Sequence, residues 1–302
     1  MTHTNRSVDR TPSVRSLLAA AGMMGIVAAL GSPSTLAQTR VMESPLRTVD
    51  PNDQSVFTRL NVNMDLVRSV TTDEPTTWRN VPIGRGGTVD VVLRPFEIFS
   101  PDARVVIGGE HGDTDIARPD VVLLKGTVNG REDSSVFIGV SPMMTHGVIR
   151  IGATKYFISS GPTNADHGVV VFDEADLPKD PDARTFTCGA DQIQQPLALP
   201  VLPEMKGAGE VGQRGTFTCR SARVAVDTVW EHTRDLFGGD PHRAATYDTI
   251  LFGAISEIYT RDLNLHIAVP FLRVWATDND PYNPALNTVL DQFRNHWSAS
   301  MG

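Results

Sequence analysis

Residues 240–275 decide the fold: DPHRAATYDTILFGAISEIYTRDLNLHIAVPFLRVW. Asp240 followed by Pro241 reads as an N-cap with proline at the first helical position, where its missing N–H costs nothing. Ala244, Tyr247, Leu251, Ala254, Ile255 and Ile258 then recur at spacings of three and four. That period predicts an amphipathic helix to about Arg261 with those residues on its buried face. Glu257 and Arg261 stand four apart in the favourable order and read as a solvated pair worth a few tenths of a kcal/mol. At Leu263 the period changes to two. Leu263, Leu265, Ile267 and Val269 alternate as a strand, Pro270 breaks the phase, and Leu272 and Val274 resume it on the other parity. Proline cannot donate to a ladder, so a bulge or a sheet edge is predicted there.

Working outward, residues 223–229 (RVAVDTV) alternate as another strand. Asn283-Pro284 opens a second helix whose apolar face is Leu286, Val289, Leu290, Phe293 and Trp297. The order strand, helix, strand, helix predicts one α/β layer with an unpaired sheet edge, and hence a loosely ordered one. Upstream lie short runs of strand composition: Thr88–Leu93, Val105–Ile107, Val121–Leu124, Ser135–Val140, Val148–Ile151, Lys155–Ile158 and His167–Phe172. Gly, Asp, Asn and Pro separate them, and Asn129-Gly130 is a hairpin signal. They predict a β-rich domain, sandwich- or barrel-like, ending near residue 175. Val56–Val70 reads as a strand or a short helix. Residues 189–215 turn from proline-rich to glycine-rich without any period, which is linker composition.

At 302 residues the chain is long enough for roughly two domains. A composition of 40% hydrophobic and 21% charged residues is that of a globular protein. The net charge of −8 disfavours nucleic-acid binding, which needs basic patches. Two cysteines are too few for a disulfide scaffold or an all-cysteine zinc site. Arg6, Arg10 and Arg15 precede the uncharged run Leu17–Leu30, which as a helix spans about 21 Å, less than a bilayer core. Small residues follow up to Ala37. This predicts a secretory signal peptide over 1–37, with an uncleaved anchor as the alternative. The mature chain is then secreted or periplasmic, with no membrane association beyond the signal peptide.

Four stretches carry a family resemblance: RVAVDTVWEHTRDLFGGD, ISEIYTRDLNLHI, LRVWATDNDPY and VLDQFRNHW, all within 220–297. They resemble the opening of the metalloprotease domain of the reprolysin (adamalysin-type) zinc endopeptidases. Residues 123–158 are similar to that family's propeptide. The resemblance implies an α+β chain: a β-rich propeptide-like domain (38–188), a Pro/Gly-rich linker (189–218), and an incomplete α/β zincin-like, or metzincin, domain (219–302). It implies peptide-bond hydrolysis, zinc as the cofactor of a full-length member, and a protein or peptide as its substrate. The family's H-E-x-x-H-x-x-G-x-x-H motif is absent: no two histidines stand four apart and none precedes a glutamate. The motif is expected downstream of Gly302, so the chain reads as a truncated precursor that is inactive as given. No catalytic residue and no metal ligand is assigned in this chain. The alternative is a non-enzymatic exported module, either binding or protease-inhibitory (propeptide-like), the latter with a protease in trans as its partner.

The resemblance makes Cys188 a zinc-switch candidate, since a thiolate can occupy the position of the metal-bound water. The competing reading is a Cys188–Cys219 disulfide, closing a loop of about thirty residues for roughly 3–4 kcal/mol. Other motifs read more plainly. His111, Asp113 and Asp115 read as turn residues before they read as a cation site. Asp278 and Asp280 read as loop Asx turns, with calcium the weaker alternative. His232, His242 and His266 read as surface or packing residues, and Trp230, Trp275 and Trp297 as core. Gly207–Gly212 fits G-x-G-x-x-G but has no strand before it, so it reads as linker.

Overall fold

The period-two runs between Arg40 and Asp173 fold into twelve strands among the described residues. The structure, a computed structural model, describes residues 39–70, 74–161, 168–177, 220–283 and 289–300. The strands are β1 (Arg40–Glu43), β2 (Leu46–Thr48), β3 (Thr58–Val62), β4 (Thr76–Gly84), β5 (Gly87–Phe96), β6 (Phe99–Gly109), β7 (Gly112–Ile116), β8 (Val122–Val128), β9 (Ser134–Val140), β10 (Thr145–Ile151), β11 (Thr154–Ser159) and β12 (Val169–Asp173). All but β6 and β7 form one sheet, in the order β1-β4-β5-β8-β9-β10-β11-β12-β3-β2. Its two outermost strands, β1 and β2, are neighbours in the chain, joined through Ser44-Pro45. The sheet therefore curls until its edges meet. Ser44 N–H donates to Arg79 on one side, and Asn63 N–H donates to Pro45 C=O on the other. Of the two forms expected, sandwich or barrel, the curled sheet is the barrel-like one.

Alternation sends every second side chain inward. Leu46, Trp78, Leu93, Leu124, Ile138, Ile149, Ile158 and Val171 make a buried core inside the curl. The stretch Val56–Val70 is both things the sequence allowed, β3 followed by the short helix α1 (Met64–Arg68). The Asn63 side chain caps α1, and Val67 joins the core. The seven upstream runs all fall on strands, β12 beginning two residues later than its run. β1, β2, β4 and β7 escape the sequence pattern. β4 is interrupted by Asn80 and Pro82, and β7 (GDTDI) is almost wholly polar.

Strands β6 and β7 leave the barrel as a hairpin and enter a second sheet. The remaining elements are β13 (Arg220–Arg223), β14 (Val226–Asp227), α2 (Pro241–Leu263), β15 (Leu265–Trp275) and α3 (Val289–Ser300). β15 runs parallel to β13 and β14 on one side and parallel to β6 on the other; β7 lies beyond β6. An unpaired sheet edge was expected in this layer; the edge of β15 away from β13 and β14 is filled by a strand from far upstream that local periodicity could not reveal. The loose order expected from that open edge loses its premise. The register slips between Val269 and Phe271, at Pro270, as the broken phase predicts. All described residues belong to one compact unit. No helix among them is long and apolar enough to cross a membrane.

Helix α2 starts where expected: the Asp240 carboxylate accepts from the N–H groups of His242 and Arg243. Its buried face differs from the predicted one. Ala244, Ala245, Thr249, Ile250, Gly253, Ser256 and Glu257 are buried, whereas Leu251 and Ile258 are 38% and 43% exposed. The helix has neighbours on two sides. Ser256 accepts from Ile267 N–H of β15, while Ile250 sits over Gly139 of β9. A Cβ at Gly139 would lie 2.6 Å from Ile250 Cγ2, so the close approach requires glycine. Small residues permit this double contact and displace the large apolar ones to a third, open side. A second core results, shared by Ile98, Val105, Leu123 and Phe137 with Ile250, Ile267, Val269 and Leu272. In α3, Phe293 and Trp297 pack on Tyr282 and Phe271, but Leu290 is exposed; Leu286 lies outside the described residues.

Candidate functional interface

The C-terminal end of β15 places a charged residue in an apolar run: Phe271, Leu272, Arg273, Val274 and Trp275 are all buried. The Arg273 guanidinium donates to Asp113 Oδ2 at 2.7 Å and to Asp227 Oδ2 at 3.1 Å. It also donates to His296 Nε2 at 3.2 Å and lies over the rings of Phe271 and Trp275. Asp227 is fully enclosed and accepts from Tyr282 Oη at 2.7 Å and Trp275 Nε1 at 3.0 Å. Burial, and then the Asp227 carboxylate, push the Tyr282 hydroxyl up. Four segments meet at one cation: hairpin β6–β7, β14, β15 and α3. Such a hub adds little net attraction over an apolar core. Removing one partner, however, strands a buried charge at a cost of about 3–5 kcal/mol.

Two further polar contacts cross from the strand-rich half to the C-terminal unit. Arg223 pairs with Asp102 at 2.9 Å, and that hydrogen bond, followed by one from Ser100, holds the Asp102 carboxyl down to about 2. The pair is exposed and contributes little. Arg261 donates to Ser135 Oγ at 3.2 Å and to Glu257 Oε2 at 3.2 Å. Glu257 is not the solvated helix residue expected; it is 7% exposed, and burial pushes its carboxyl up against the pull of Arg261. The helix face that carries it is the one pressed onto the barrel.

A second polar group lies near the N-terminal half of α2. His232, in the π-helical segment His232–Leu236, pairs through Nε2 with Asp248 Oδ1 at 3.0 Å. Burial pushes the Asp248 carboxyl up. Tyr247 packs between His232 and His146. His146 Nδ1 lies 3.4 Å from Ser159 Oγ, and burial pushes its pKa down to about 4. A serine beside a histidine invites a nucleophile reading; a triad would also hold the second ring nitrogen with an acid, and among the described residues nothing bonds His146 Nε2.

A scan against models of known protein families finds no match, and neither does a search of curated proteins. The geometry must carry the reading. Cys188, Cys219 and Gly207–Gly212 lie outside the described residues. His111, Asp113 and Asp115 do not converge. His111 sits in the β6–β7 turn, Asp115 forks onto Arg104, and Asp113 serves Arg273. No three His, Cys, Asp or Glu side chains are grouped to hold a metal among the described residues. Asp280 accepts from Tyr282 N–H in the expected Asx turn, and from Trp230 N–H. His266 Nδ1 meets Ser256 Oγ at 3.2 Å, and His242 is exposed. Of the two roles expected for His232, surface or packing, the structure has packing: the ring sits against Phe237 and Tyr247 and pairs with buried Asp248. Trp275 is core, as expected. The hub itself, Arg273 with Asp227 and Tyr282, was missed by sequence reasoning; a lone arginine within FLRVW was the available signal.

Proposed function

We propose that the chain is an exported precursor of a reprolysin-like zinc endopeptidase. The strand-rich half is its pro-segment, and residues 219–302 are the front of its protease domain. One observation carries the reading: β6 of the strand-rich half completes the sheet edge beside β15. A segment that supplies the missing strand of an unfinished α/β layer does what a pro-segment must do, holding the enzyme fold in a bound form. The parallel β13–α2–β15 unit followed by α3 supports it too, being the element order the resemblance implies. Zinc, the hydrolytic step and the Cys188 switch belong to this proposal as expectations for the full-length protein. The test is the gene beyond codon 302. An in-frame H-E-x-x-H-x-x-G-x-x-H is expected within roughly two hundred codons; a stop codon with no such motif rejects the enzyme reading.

A second reading has its own observation. Among the described residues, the buried members of the barrel core run from Leu46 to Val171 and none comes from the C-terminal unit. A body with its own core can act on a partner chain as an inhibitory module. Inhibition of a family protease by the 302-residue chain, lost in Cys188→Ala, is the expected result of that reading. No inhibition at micromolar chain sinks it.

A further inference from the structure

Arg243, in the first turn of α2, is half-buried at the rim of the barrel. Its Nε is enclosed without a hydrogen-bond partner, and no carboxylate among the described residues pairs with its guanidinium. The other arginines there without a side-chain partner, Arg47, Arg59, Arg79 and Arg94, are all exposed. A guanidinium partly withdrawn from water without a counter-charge is unfavourable, and an arriving anion relieves that cost. Arg243 closes one side of a cavity of about 430 Å³, bounded by the end of β3, the β9–β10 turn and the start of β12. A second cavity, of about 460 Å³, shares Asn61, Val62 and Met64 with it and carries Arg47. No aspartate or glutamate is among the described residues lining either one. In a chain with 35 acidic residues against 27 basic ones, this is a local reversal of sign. The helix end itself does not supply the attraction: the Asp240 carboxylate already takes the N–H groups of His242 and Arg243. Met64, Met143 and Met144 line the Arg243 cavity, and flexible thioethers adapt to an apolar tail. Thr246 Oγ1 lies 3.7 Å from Met143 Sδ, which ties the β9–β10 turn to the helix beside the cavity.

We propose that the Arg243 cavity binds a small organic carboxylate carrying an aliphatic tail. The guanidinium fork takes the two carboxylate oxygens, and the three methionines take the tail. The cavity has the size of a small-molecule site, with one charged group to orient the ligand and apolar side chains to hold it. The inference stands apart from the protease reading. A gene without the zinc motif leaves it intact.

The test titrates the full chain, labelled at its methionine methyl groups, and follows their NMR shifts. The probes are octanoate, acetate (the charge without the tail) and octanol (the tail without the charge). Octanoate is expected to shift the Met64, Met143 and Met144 methyls saturably and to leave Met42, which lies outside the cavity, in place. Acetate and octanol are expected to bind about tenfold more weakly or worse. Arg243→Gln is expected to weaken octanoate by a similar factor while the methyl spectrum of the free protein stays unchanged outside the cavity. Arg243→Lys keeps the charge and loses the fork, so weaker binding in that variant carries the test if Arg243→Gln does not fold. No saturable shift at millimolar octanoate overturns the proposal. So does octanol or acetate binding as tightly as octanoate, or octanoate binding that survives Arg243→Gln.

Discussion

At His146 a single ring ties stability to acidity. Burial holds the folded-state pKa down to about 4, against the ordinary 6.5. The unfolded chain therefore takes up the proton first. Stability from this residue is fully present above pH 6.5 and is lost as the pH falls from there toward 4. Between pH 7 and pH 5 the loss amounts to about 2 kcal/mol at most. Urea midpoints of the native chain and His146→Leu at both values check it; the variant is expected to show a flatter dependence. A slope that survives the substitution belongs to another group. Ile250 offers a second measure, since it fills the space that Gly139 leaves open. Ile250→Ala is expected to cost about 2–5 kcal/mol in equilibrium unfolding. Neither residue was singled out as decisive in the sequence. His146 is an ordinary histidine until its neighbours are known, and Arg273 looks like any alternating polar residue until three acceptors are placed around it.

Elements were more legible than residues. Asp240-Pro241 marks the start of α2 and Pro270 the slip in β15, because capping and ladder chemistry act within a few residues. The cap is testable: Asp240→Ala is expected to lower stability by about 1 kcal/mol, read from the unfolding midpoint. Faces were less legible than ends. A period of 3.6 finds one apolar stripe, whereas α2 is gripped on two sides and buries its small residues there. Leu251 and Ile258 satisfy the period and still face outward. The polar strand β7 escaped altogether, because its pairing to β6 rests on backbone and on the Arg104–Asp115 fork rather than on apolar alternation.

The whole molecule was the least legible scale. Strand runs announced a curled sheet and an α/β layer, but nothing local announces that β6 abandons the first for the second. The consequence is measurable after cleavage at a protease site placed within 178–219. The two pieces are expected to co-elute as one particle and to unfold in one transition, since they share a sheet and a core. Separation of the pieces in native buffer would contradict this.

The shared sheet also sets a clock. β6 leaves the ribosome roughly 150 residues ahead of β15, which at usual synthesis rates is an interval of about ten to thirty seconds. Throughout that interval the hairpin waits with one flank unsatisfied. Non-local parallel pairing is slow to form, so the wait extends into folding itself. Whichever β15 arrives first will be taken, and in a crowded preparation that strand can belong to a neighbour. Fast refolding at high concentration should therefore yield exchanged dimers with two native-like bodies, and slow refolding of dilute chain should yield monomers.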